Sequence, residues 1–111
     1  MKPLGASVVL CTFQGERYLP EQLASLHSQT KLPLEIIAQD DGSTDGTFEA
    51  LVRDGAGFAC EFLVHRNTER LGFSGNFASA LARARGDIIF FCDQDDIWEN
   101  EKIEMMLKLF E

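Results

Sequence analysis

The stretch FFCDQDDIW, residues 90–98, sets Asp93, Asp95 and Asp96 directly after an apolar run. Carboxylates this close repel one another, which costs stability unless positive charge sits among them. Asp93 and Asp95 are separated by one residue, so a persisting strand pleat points both side chains the same way. Paired hard oxygens suit Mg2+ or Mn2+, with water and phosphate oxygens completing the shell. A divalent ion between these carboxylates and a nucleotide diphosphate resolves the charge conflict and stabilises a leaving diphosphate as a Lewis acid. Helix capping is the competing explanation, because a helix N-terminus favours carboxylates. It suits Asp96 best and does not account for all three.

A second acidic cluster, Asp40-Asp41-Gly42-Ser43-Thr44-Asp45, reads as a strand-to-helix turn. Gly42 serves the bend, and Ser43, Thr44 or Asp45 serves as helix cap. That leaves Asp40 at a strand end, where a carboxylate can accept the imide N–H of a pyrimidine or a ribose hydroxyl. Phe13 suits either core packing or contact with a base. Arg66 and Arg70 read as solvated loop charges or as phosphate ligands, His65 as a packed or surface histidine, and Trp98 as an anchor for the last helix. Met105 and Met106 belong to that helix. Neither GxGxxG nor GxxxxGK[ST] occurs, so the dinucleotide fingerprint and the P-loop are excluded. No Ser-His-Asp order or nucleophilic Cys-His pair stands out.

These residues need a frame that gathers them, and the hydrophobic pattern supplies one. Residues 6–13, 34–39, 59–64 and 87–92 are strand-length apolar runs. Between them lie helical spacings. Leu19, Leu23 and Leu26 have helical spacing, with Pro20 suited to the first turn; Phe48, Leu51 and Val52 share a face; Phe77, Ala80, Leu81 and Ala84 line a helix over 76–85 that stops at Gly86. A last helix over roughly 99–110 repeats Ile103, Met106, Leu107 and Phe110. Strand and helix in alternation predict an α/β fold with a mainly parallel sheet and helices on both faces. Ligands of such sheets bind beyond the carboxyl ends of the strands. There the chain places Thr12-Phe13-Gln14, Asp40-Asp41, His65-Arg66-Asn67 and the Asp93–Asp96 cluster.

At 111 residues the chain fits one domain, and 45% hydrophobic with 25% charged residues is an ordinary globular composition. No apolar run is long enough to span a bilayer, and the stretch from Met1 to Gly5 lacks the apolar region of a secretory signal. A cytoplasmic location is expected. Cys11, Cys60 and Cys92 lie in or beside strand-like runs without CxxC spacing, which predicts buried free thiols. The net charge of −8 argues against nucleic acid as a partner.

The segments SVVLCTFQGERYLPEQLASLHSQT, LEIIAQDDGSTDGT, NTERLGFSGNFASALARARGD and IIFFCDQDDIW resemble, in order, the motifs of family 2 glycosyltransferases of GT-A fold. The last is most similar to bacterial rhamnosyltransferase-like members. The resemblance implies a Rossmann-like nucleotide-binding half with sheet order 3-2-1-4. It implies transfer of a sugar from a nucleotide-diphosphate donor, dTDP-rhamnose or a UDP-sugar, to a hydroxyl of a glycan or lipid-linked acceptor, usually with inversion. Cell-surface polysaccharide synthesis is the implied setting, with the full-length protein at most peripheral to the inner membrane face. Thr12 and Phe13 match the base-proximal segment, Asp40 the carboxylate facing the base, and Asn76 a position near the donor. Asp93 and Asp95 match the DxD motif, Asp95 as direct metal ligand and Asp93 towards ribose or metal-bound water.

The family's general base lies well downstream of DxD. Glu99, Glu101, Glu104 and Glu111 do not match it and read as solvated helix charges. The expectation is therefore that residues 1–111 are an N-terminal, donor-binding portion of a larger transferase, binding donor without efficient transfer. A non-catalytic nucleotide-binding or interaction module of the same fold is the alternative. A receiver domain would place its acidic pair after strand 1, and a sugar nucleotidylyltransferase would place a Gly-rich loop there; FQGERY is neither. A parallel sheet ending at the fourth strand also leaves an open edge through which copies could associate.

Overall fold

The computed structural model describes residues 3–93 and 95–111. Met1 and Lys2, which begin the N-terminal stretch considered above, and Gln94 of the acidic motif lie outside them. Strands β1 (Ala6–Thr12), β2 (Glu35–Asp40), β3 (Glu61–Arg66) and β4 (Ile88–Asp93) alternate with helices α1 (Leu19–His27), α2 (Thr47–Gly55), α3 (Gly72–Leu81) and α4 (Lys102–Lys108). The sheet is parallel throughout, in the order β3-β2-β1-β4. The expected α/β class and strand order hold.

The central strands β1 and β2 are buried at every residue, whereas β3 and β4 alternate, as edge strands do. Pleat parity divides the core. Val8, Leu10, Ile36, Ala38, Phe90 and Cys92 point to one face, against Leu19, Leu23 and Leu26 of α1, Leu51 of α2, and Ile103 and Leu107 of α4. Val9, Cys11 and Ile37 point to the other and meet Ala80 of α3, with Phe77 and Phe91 packed alongside. Among the described residues one face thus carries α1, α2 and α4 and the other α3.

Helix boundaries differ from the periodic reading where the cap is not local. Helix α3 begins at Gly72, not Asn76, because Asp41 at the end of β2 accepts the N–H groups of Leu71 (2.7 Å) and Gly72 (2.9 Å). Its last regular turn ends at Leu81. Beyond it the Arg85 N–H is taken by the Glu35 carboxylate at 2.7 Å, so Gly86 is not the helix stop. Gly86 instead passes so close to β1 that a Cβ there would lie 2.7 Å from Ser7 N and 2.9 Å from Gly5 O. In α2 the buried apolar residues are Ala50 and Leu51, and Val52 faces solvent. Helix α4 is shorter than expected, with Met105, Met106 and Phe110 exposed. Cys11, Cys60 and Cys92 are free thiols. Among the described residues no helix is long and apolar enough to cross a membrane.

Candidate functional site

A cleft of about 340 Å³ opens beyond the carboxyl ends of β1, β2 and β4, where ligands of open α/β sheets bind and large enough for a small-molecule ligand. Cys11, Thr12 and Phe13 line it from the end of β1, Asp41 from β2, and Asp93 and Asp95 from β4. Arg70, Phe73 and Asn76 come from the loop and first turns of α3.

The two turns that floor the cleft are laced together. Gln14 has a left-handed backbone (φ 51°), a conformation that costs a non-glycine residue about 1–2 kcal/mol. Its surroundings hold it there. Its backbone N–H donates to Ser43 Oγ at 2.8 Å, and its side-chain oxygen accepts the Thr44 N–H at 2.8 Å. Gly42 (φ 77°) and Gly72 (φ 80°) occupy the same region, which glycine reaches without a Cβ clash. Phe13, immediately before this bend, sits half-buried with the Arg70 guanidinium 3.8 Å from its ring centroid.

Asp40 and Asp41 have opposite fates. Asp40 pairs in register with Thr12 on the face towards α1 and α2. Its carboxylate accepts the Thr12 hydroxyl (2.8 Å), the Ser43 N–H (2.9 Å) and the Ser43 hydroxyl (2.7 Å), and is wholly buried. Asp40, expected to face a base, is not among the residues that line the cleft; its carboxylate holds the turn together and takes the Thr12 hydroxyl in doing so. Asp41, one residue on, points into the cleft. It accepts Asn67 Nδ2 at 2.9 Å as well as the α3 N–H groups, and lies 3.8 Å from Arg70 Nε. Asn76 is buried beside it, accepting Asn67 Nδ2 (2.8 Å) and donating to the Gln39 carbonyl (3.1 Å). Sequence reasoning passed over Asp41; strand parity, counted from the buried Ile36 and Ala38, was the signal that could have found it.

Asp93 and Asp95 line the same cleft, but β4 ends at Asp93, so a turn and not a continuing pleat brings Asp95 there. Burial, then the neighbouring charges of Asp96 and Asp95, push the Asp93 carboxyl above its ordinary value. Among the described residues no basic side chain pairs with either. Asp96 does not cap α4, which starts six positions later; its carboxylate accepts the Asp93 N–H at 3.1 Å and closes the turn that carries the other two. Two carboxylates pushed together in this way fit a divalent cation that takes its remaining ligands from phosphate and water. No group of three or more acidic, histidine or cysteine side chains that could by itself hold a metal occurs among the described residues. Burial together with Asp93 and Asp41 pushes the Cys11 thiol up to about 12, so it lines the cleft as a neutral group.

Other candidates fall outside. Arg66 donates to the Ser43 carbonyl at 2.9 Å and lies over Phe48. His65 meets Arg83 on the surface. Trp98 is buried against Phe90.

Residues 7–111 match Glycosyl transferase family 2. The chain belongs to this family. It is 29% identical over 107 residues to an uncharacterised glycosyltransferase of Nostoc sp., an alignment covering 95% of this chain and 32% of that protein. Its fold is similar to that of part of S. aureus TarS, solved alone and with UDP or UDP-GlcNAc (TM-score 0.86, 27% identity, 96% of this chain and 32% of the unliganded TarS chain). The mannosyltransferase PcManGT of Pyrobaculum calidifontis, in complex with GDP-Man and Mn2+, is also similar (TM-score 0.83, 25% identity, 92% of this chain and 31% of that one). The chain spans about a third of the length of these relatives.

Proposed function

We propose that this chain forms the donor-binding portion of a glycosyltransferase and holds a nucleotide-diphosphate sugar in the cleft at the carboxyl end of the sheet. The observation that carries this reading is the convergence of an aromatic ring, Phe13, and two uncompensated carboxylates, Asp93 and Asp95, on one cleft. It is supported by the UDP, UDP-GlcNAc and GDP-Man complexes of similar proteins. In this reading Phe13 packs against the base, with Arg70 lying on the same ring. Asn76 and Asp41 fix the wall opposite. Asp95 is the direct ligand of Mg2+ or Mn2+, and Asp93 serves the ribose or metal-bound water. A divalent ion there supplies Lewis-acid stabilisation of the departing diphosphate. Asp40 contributes by setting the turn.

The carboxylates among the described lining residues are Asp41, Asp93 and Asp95. Asp41 is committed to three N–H donors, and the other two to the ion. None is left to deprotonate an acceptor hydroxyl, so these residues alone bind donor without efficient transfer. The acceptor class follows from the family resemblance: a hydroxyl on a glycan or lipid-linked intermediate of cell-surface polysaccharide, used at the cytoplasmic side of the membrane. The resemblance of DQDDIW favours dTDP-rhamnose as donor, with a UDP-sugar as the other choice.

Calorimetric titration with UDP and dTDP, each with and without Mn2+, tests the reading. Metal-dependent binding that Asp95→Asn abolishes is the expected result, and the tighter nucleotide identifies the donor class. Absence of binding by the folded chain overturns it.

A further inference from the structure

Gln22 is a wholly buried polar residue on the inner face of α1, where its neighbours Leu19, Leu23 and Leu26 are apolar. Its side-chain amide donates to the main-chain carbonyl of Asp93 and lies 3.3 Å from Cys92 Sγ. Its amide oxygen, also buried, has no hydrogen-bond partner among the described residues. A half-satisfied buried amide costs stability, and an apolar side chain of the same volume would not. Seven residues on, Gln29 presents a contrast. Its amide donates to the Glu99 carbonyl at 2.7 Å, and its oxygen accepts the Ile103 N–H at 3.1 Å. Gln22 of helix α1 and Gln29, two residues beyond its end, thus hold the two ends of the segment from Asp93 to Ile103, fully satisfied at the far end and half-satisfied at the end that bears the carboxylates.

From this geometry we infer that Gln22 is a positioning residue for the Asp93–Asp96 turn, fixing the carbonyl at its base so that Asp93 and Asp95 meet the cation together. The inference rests on the donor-binding reading above. The Asp93 carbonyl also accepts the Asp96 N–H at 3.0 Å, so removing the glutamine donor leaves no orphaned carbonyl. Stability and positioning are therefore separable at this residue. Loss of groups that orient metal ligands typically weakens metal affinity about 10–100-fold.

The test is Gln22→Met, near in volume and without a donor. Its ligand-free melting temperature should equal or exceed that of the wild type, and UDP binding without metal should be unchanged. Binding of UDP with Mn2+ should weaken about tenfold. Hydrogen exchange of the Asp96 amide, a readout that needs no ligand, should accelerate. Gln29→Met, by contrast, should lower the melting temperature. Wild-type Mn2+-dependent binding that persists undiminished in Gln22→Met, with unaltered Asp96 exchange, overturns this inference alone. A collapse of the ligand-free fold in Gln22→Met overturns it too, by assigning Gln22 to stability. Failure of the wild type to bind UDP with Mn2+ overturns the functional reading instead.

Discussion

Asp93 is the residue at which function and stability oppose one another. Its carboxyl is pushed above the ordinary range by burial and by Asp96 and Asp95, so its ionised form destabilises the ligand-free fold at neutral pH. Asp93→Asn should therefore raise ligand-free stability, on the order of 0.5–1 kcal/mol, while weakening metal-dependent nucleotide binding; thermal melting beside calorimetry checks both signs. Phe13→Ala should weaken UDP binding roughly two- to tenfold, the scale of an aromatic contact of about 0.5–1.5 kcal/mol, and should do so with or without Mn2+. That Asp93 and Asp95 belong to one cleft was suggested in the sequence by their one-residue spacing, although a turn beyond the strand, not the pleat, brings them together. Asp40 and Asp41 could be told apart there only by strand parity. Adjacent aspartates at a strand end differ only in which face they take, and the Thr12 and Ser43 hydroxyls that claim Asp40 are contacts across the sheet and within the turn.

At the scale of elements, the end of the sheet opposite the cleft depends on one buried carboxylate. Burial raises the pKa of Glu35, but the Ser7 hydroxyl and the Arg85 N–H and guanidinium outweigh it and hold the group below the usual carboxylate range. Its contribution is thus present above the unfolded pKa of about 4.3 and is lost as pH falls through the lower folded value. Glu35→Gln should lower stability by about 1–3 kcal/mol near neutral pH and flatten the acid limb of a stability–pH curve, measured by denaturant unfolding at stepped pH. Helices α1 and α2 could be placed from their apolar spacing and from Pro20, but α3 could not be placed as well. Its start is set by a carboxylate on another strand, 30 residues earlier in the chain, and its exit by Glu35. Local caps leave a local mark in sequence; caps supplied from across the sheet do not.

Across the whole molecule, the helices are distributed unevenly. The α3 face leaves Ile89 on β4 38% exposed and Phe73 64% exposed, and β4 pairs with β1 on one side only. An open edge beside apolar side chains is a surface that pairs with other chains. Concentration-dependent self-association is the expected behaviour, and light scattering that shows a monomer at every concentration would contradict it. The alternation of strands and helices, and with it a parallel sheet, was readable from the hydrophobic pattern; the order β3-β2-β1-β4 was expected only through the family resemblance. The direct measurement of the central claim is backbone amide NMR of the protein with UDP and substoichiometric Mn2+. Paramagnetic broadening should centre on Asp93, Asp95 and Asp96 and reach Phe13, Asp41 and Asn76, sparing Glu35 and Arg85 at the far end of the sheet. Broadening centred on other carboxylates, such as Glu61 or Glu104, or none at all, would contradict a donor site in this cleft.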